Sequence, residues 1–123
     1  MPQVSNKRLN PRLRVLVCEE IALGPGKADL LEHIAQTGSL SMAARRMKMS
    51  YMKAWLLVQV MNRCFRSPLV ALERGGPSGG GARLTSTGRE ALQLYRTMEE
   101  DACLAMKTSW QQLHKLLRSE VKK

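Results

Sequence analysis

The side chains with chemistry to offer gather in Ser50-Tyr51-Met52-Lys53-Ala54-Trp55, just after the basic residues Arg45, Arg46 and Lys48. Lys53 brings three N–H donors and a charge, which suit a phosphate oxygen or the O6/N7 edge of guanine. The hydroxyls of Ser50 and Tyr51 suit phosphate oxygens, and Met52 suits a thymine methyl. Trp55 has two readings: outward with these residues, or packed on the preceding helix with its indole N–H at the surface. Catalysis is a poor use for this chain. His33 and His114 are far apart, no Ser/His/Asp or Cys/His set can be built from them, and the acids are few, so no enzyme is expected. Cys18, Cys64 and Cys103 are widely spaced with no CxxC, which argues against a metal site and for reduced, packed thiols. Gly24-Pro25-Gly26-Lys27 does not have the spacing of a Walker phosphate loop.

Two short helices must position this group. Leu40, Ala43, Ala44 and Met47 recur on one helical face, and so do Ala54, Leu57, Val58, Met61 and Phe65. Ser41 is the expected cap of the first helix (41–48) and Ser50 of the second (50–66). Small Ala43 and Ala44 allow a close helix crossing, the pattern of a helix-turn-helix. Leftover outward positions are mostly basic or aromatic.

Charge supports the same reading. The chain of 123 residues carries a net charge of +10, and no acid falls between Glu32 and Glu73 while six basic residues do. A one-sided basic field points to a polyanion, and double-stranded DNA fits better than a membrane surface. No apolar run approaches the roughly 20 residues that span a bilayer, and the N-terminal apolar stretch is too short for a signal peptide, so a cytoplasmic protein is expected.

Around the helix pair, residues 1–11 read as a loose basic arm and 12–18 as a short strand with Leu13, Val15 and Val17 on one face. A helix is expected over 26–37, with Leu30, Leu31, Ile34 and Ala35 as its buried stripe and Gly38 as a left-handed cap. Strands at 69–73 and 82–85 enclose RGGPSGGGA (74–82), a glycine-rich wing. Its Gly75, Gly76, Gly79, Gly80 and Gly81, flanked by Arg74 and Arg83, suit the DNA backbone, with Arg45 and Arg46 as further backbone anchors. From Thr85, the expected cap alongside Thr87, one long helix should run to about Leu117 or Val121. Its stripe of Tyr95, Met98, Ala102, Met106, Trp110, Leu113 and Leu117 is too long to bury on so small a body, and a second copy of the chain would cover it.

The order of these parts resembles the winged helix-turn-helix of the LysR class and, more closely, the DNA-binding domain of the ModE family of molybdate-responsive regulators. GSLSMAARRMKMSYMKAW (38–55), Met61-Asn62 and GGPSGGGARLTSTG (75–88) carry the likeness. It implies DNA binding, with Ser50, Tyr51, Lys53 and Trp55 at the start of the recognition helix and Gly75, Gly76, Gly79, Gly80 and Gly81 in the wing. Pro77-Ser78 stands where the family often has a basic residue beside glycine. Because the sequence ends at Lys123, the family's molybdate-binding modules are expected to be absent and no cofactor is expected.

The expectation is a mainly α fold with a small β wing: a basic arm (1–11), a winged helix-turn-helix (12–85) and a long dimerisation helix (86–121). The expected function is a sequence-specific transcriptional regulator, a repressor, binding a pseudo-palindrome as a homodimer. The alternative is a small interaction or nucleoid-architectural module that binds DNA without sequence specificity.

Overall fold

In the computed structural model, which describes residues 7–73 and 81–121, the chain opens with a β-hairpin. Strand β1 (Val15–Val17) pairs antiparallel with β2 (Glu20–Leu23) through a bulge between Val15 and Leu16. Only the first strand is expected from the sequence. The turn between them places Cys18 at φ 55°, a left-handed position that glycine usually fills, so nothing in its composition marks it as a turn. Leu13 and Val15 pack on the core, whereas Val17 is exposed.

Helix α1 (Pro25–Thr37) begins with proline in its first turn and ends at Gly38, whose φ of 68° lets its N–H donate to the Ile34 carbonyl at 2.8 Å. Its buried face is Ala28, Leu30, Leu31 and Ile34. Ala35 is exposed, against expectation: a stripe centred on Leu31 takes in Ala28 and Ile34, and the next residue rotates outward. Helix α2 (Leu40–Arg46) is capped by Ser39, not Ser41; the extended Ser39 aims its hydroxyl at the Met42 N–H, 3.1 Å away. Helix α3 (Tyr51–Cys64) starts at its expected cap, with Ser50 Oγ accepting from the Lys53 N–H at 3.1 Å. Lys48, at φ 56°, turns the chain between α2 and α3.

Ala43 and Ala44 of α2 and Ala54, Val58 and Met61 of α3 close over Leu30, Leu31 and Ile34 to form the core. Strand β3 (Val70–Glu73) and strand β4 (Gly81–Leu84) cover its edge as an antiparallel pair, in register from Val70↔Leu84 to Glu73↔Gly81. The expected glycine turn between them lies, from Arg74 to Gly80, outside the described residues.

The backbone at Leu69 joins these parts. Asn62 Oδ1 accepts from the N–H groups of Leu69 (2.9 Å) and Val70 (3.1 Å), and Asn62 Nδ2 donates to the Val70 carbonyl (3.0 Å). On the other side, the Leu69 carbonyl accepts from the Thr85 N–H at 2.9 Å, and Thr85 caps helix α4 (Ser86–Ala105) through the Gly88 N–H. Gly88 sits so close that a Cβ there would lie 2.0 Å from the Leu69 oxygen.

The long C-terminal helix is present, but it is shorter than expected and interrupted once. After Met106, helix α5 (Lys107–His114) continues it and stops before Leu117 and Val121. No residue of α5 is buried, so little apolar burial favours extending it. Tyr95 is also a correction: it is not available to a dimer seam. It is 1% exposed, its hydroxyl donates to the Leu13 carbonyl at 2.8 Å, and burial pushes its phenol pKa up. Beside it, Arg96 binds Asp29 and Glu32 of α1 and Glu99 of its own helix at 2.8–2.9 Å. Burial alone would lower the guanidinium pKa, but these three carboxylates outweigh it and raise the pKa.

Two substitutions test the Leu69 junction. Gly88→Ala should cost about 3 kcal/mol or more, because the obstacle is backbone rather than a pliable side chain. Asn62→Ala leaves two N–H groups unpaired and should cost about 2–3 kcal/mol. Chemical denaturation measures both, and a loss below about 0.5 kcal/mol for either would contradict the geometry.

Candidate nucleic-acid interface

Helix α3 turns Ala54, Val58 and Met61 inward, which forces the residues between them out. Tyr51, Met52, Lys53, Trp55 and Leu56 are all exposed; Met52 is 59%, Leu56 52% and Trp55 37% accessible. Three large apolar side chains wet on one helix would be costly unless another surface meets them. Trp55, mostly covered but with part of its ring accessible, is compatible with both readings. Ser50 is exposed at the N-terminus of α3, where its hydroxyl is engaged as the cap. Sequence reading reached all these residues, because apolar side chains left off the buried stripe are visible in a helical periodicity.

The flank of α3 that carries Tyr51 faces the base of the wing. A cleft of about 50 Å³ is lined by Tyr51, by Ser39 and Ser41 at the start of α2, and by Leu72, Glu73 and Gly81 at the strand ends. Recognition-helix start, α2 start and wing base are thus brought together. Arg74, Gly75, Gly76, Gly79 and Gly80 lie outside the described residues. Gly81 stands in β4, where a Cβ would come within 3.3 Å of the Gly38 carbonyl.

Charge is distributed unevenly over this surface. Arg83 is exposed but bonds Glu73 at 3.2 Å across the wing. Arg63 bonds Glu20 of the hairpin, and that bond, ahead of the cost of burial, holds the Glu20 carboxyl below its usual range. Arg45 and Arg46 are exposed at the end of α2, with Arg46 donating to Gln36 at 3.0 Å. Among the described residues, Arg45, Lys48, Lys53 and Arg66 have no carboxylate within ion-pair distance. The Glu20–Arg63 bond joins residues 43 apart and no local pattern foreshadows it.

Along the C-terminal segment, Met98, Leu113 and Leu117, the last beyond the end of α5, are exposed and Ala102, Met106 and Trp110 half-buried. Trp110 stacks edge-on against His114 at 5.4 Å between ring centres.

The fold has a solved counterpart. The CbnR DNA-binding domain, in its complex with DNA, superposes with a TM-score of 0.52 over 68% of this chain and 91% of that one, at 24% identity. No protein-family model matches the chain. Curated relatives match its N-terminal part: the ModE transcriptional regulator of Haemophilus influenzae at 36% identity over 87 residues, and the ModE dual regulator of Escherichia coli K12 at 39% over 77. The molybdenum-pterin-binding protein MopB of Rhodobacter capsulatus is 42% identical over 77 residues. The helix-turn-helix region is ModE-like. These matches take in 71%, 63% and 63% of this chain and 34%, 29% and 28% of the relatives, so the chain spans about a third of the length of the ModE-type proteins it matches. No helix among the described residues is long and apolar enough to cross a membrane.

If the outward residues of α3 serve contact rather than packing, Met52→Ser and Leu56→Ser should each change stability by no more than about 0.5 kcal/mol. Val58→Ala, in the core, should cost about 1–3 kcal/mol. Thermal unfolding separates the two classes, and a large loss at Met52 or Leu56 would place them inside the fold.

Proposed function

We propose that this chain is a sequence-specific, DNA-binding transcriptional regulator, a repressor, that occupies a pseudo-palindromic site as a homodimer in the cytoplasm. One observation carries the reading: the capped first turn of α3 holds Tyr51, Met52, Lys53 and Trp55 outside the fold, beside the wing base, in a field free of acids except Glu73. The ModE relatives, a DNA-binding transcriptional dual regulator in Escherichia coli K12 and a transcriptional regulator in Haemophilus influenzae, support the same reading.

In this reading α3 enters the major groove N-terminus first. Lys53 reaches a guanine edge or a phosphate, Tyr51 and the Ser50 end of the helix meet backbone oxygens, and Met52 with Leu56 meets thymine methyls. Trp55 lies along the groove wall. Arg45 and Arg46 anchor the backbone, as do Arg74, Gly75, Gly76, Gly79, Gly80, Gly81 and Arg83 of the wing. The dimer seam uses Met98, Ala102, Met106, Trp110, Leu113 and Leu117, and spaces the two recognition helices about 34 Å apart or a multiple of that. No catalytic step enters this scheme.

Binding should weaken with salt at a slope of log K against log salt of about −5 to −9. Lys53→Ala should cost about 1–3 kcal/mol on the preferred site and relax one position of each half-site, whereas Arg74→Ala should weaken all sequences alike. Fluorescence anisotropy on selected and scrambled duplexes distinguishes them. A salt slope near zero would refute DNA binding, and equal losses on both duplexes for Lys53→Ala would reduce that residue to a phosphate contact.

The dimer has its own test. Trp110→Glu puts an unpaired charge in the proposed seam and should shift the protein from dimer to monomer in sedimentation at micromolar concentration. A variant that stays dimeric would move the interface off these helices.

A further inference from the structure

The flank of α3 opposite the wing carries a feature that the recognition scheme leaves unused. Between the hairpin, the start of α1 and the start of α3 lies a cleft of about 230 Å³ whose lining includes four cations: Arg12, Arg14, Lys27 and Lys53. They come from three separate segments, so the fold, not the sequence, assembles them. No carboxylate lines the cleft. Among the described residues none of the four has an ion-pair partner. Four positive charges around one cleft attract an anion to it.

The backbone adds donors to the same place. Gly24, the residue before α1, has no side chain to cap the helix, and no side-chain cap bond is made there. Gly26 and Lys27 line the cleft with Pro25, so the first-turn N–H groups of α1 lie beside the four cations. Arg14 is held over this point: its Cγ would lie 3.7 Å from a Cβ built on Gly24. Burial depresses the Lys27 ammonium below its ordinary pKa, against the weaker opposing influence of Cys64 and Glu20.

We infer that this cleft binds a phosphodiester of the DNA backbone, clamping the strand on the side of α3 away from the wing. The inference rests on the DNA-binding reading and extends it to a second backbone site. Lys53 lines the cleft and also belongs to the first turn of α3, so an anion in the cleft lies at the edge of whatever that turn reads. The wing on one flank and this cleft on the other would fix the helix in its groove, as phosphate contacts do without reading sequence.

The test uses the full chain and removes cations that are not in the reading set. Arg14→Gln and Lys27→Gln are each titrated with preferred and scrambled duplexes across a salt series. Each should flatten the slope of log K against log salt by about 0.9 per phosphate released in each subunit, with equal losses on both duplexes. Should Lys27→Gln fail to fold, Arg12→Gln joins the exposed Arg14→Gln in its place. Unchanged slopes in the variants, with a steep slope in the parent, overturn this inference and leave the regulator reading standing. A parent slope near zero overturns both. A third arm follows inorganic phosphate by phosphorus NMR. Broadening that vanishes in Lys27→Gln while the DNA slope stays unchanged would assign the cleft to a free anion and overturn the backbone contact.

Discussion

The backbone of one residue, Leu69, holds α3, the β3–β4 pair and α4 in fixed relation. Its N–H belongs to Asn62 of α3 and its oxygen to Thr85 at the cap of α4, and the absence of a side chain at Gly88 lets α4 approach it. Buried amide groups must find partners, and here the partners come from two elements at once. Moving α4 away would strand the Leu69 oxygen, and moving α3 would strand two N–H groups. The junction makes the orientation of any dimer formed through α4 a property of the wing and α3 as well.

Electrostatic placement follows the same division. The acids pair away from the first turn of α3. Asp29, Glu32 and Glu99 surround Arg96 at the α1–α4 contact, and Glu20 holds Arg63 at the hairpin. The Arg96 side chain is only 29% accessible, so its bonds act in a partly desolvated place, whereas the Arg83–Glu73 pair is well over half exposed and contributes little. Paired arginines knit the scaffold. Arg45, Lys48 and Lys53 on the α2–α3 surface, and Arg12, Arg14 and Lys27 in the neighbouring cleft, have no carboxylate within ion-pair distance among the described residues.

Local rules made much of this legible in advance. The periodic stripes of α1 and α3, the αL cap at Gly38, the Ser50 and Thr85 caps and the strands bracketing the glycines all follow from short-range patterns. What escaped depends on distance or on one residue's backbone. The Cys18 turn lacks a turn residue, Ser39 displaced Ser41 because the chain leaves Gly38 extended, and Tyr95 looked like seam until a carbonyl 82 residues away claimed its hydroxyl. The outward residues of α3 could be read directly. The four-cation cleft could not, since Arg12, Arg14, Lys27 and Lys53 share no pattern until the hairpin folds against α1 and α3.

That contrast separates two kinds of functional residue. A reading surface built on one helix leaves its mark in sequence, because burial of the opposite face fixes which side chains remain outside. A clamp built from three segments leaves none, because each cation alone is an ordinary surface residue. The resemblance to ModE-type regulators rests on the first kind. Gly24-Pro25-Gly26-Lys27 shows how the second kind is misjudged: as a linear motif it fails for want of spacing, yet its backbone and lysine meet two arginines from the preceding strand segment and a lysine from α3. Four cations on a lining with no carboxylate make the cleft attractive to an anion, which is the basis for proposing a backbone phosphate there.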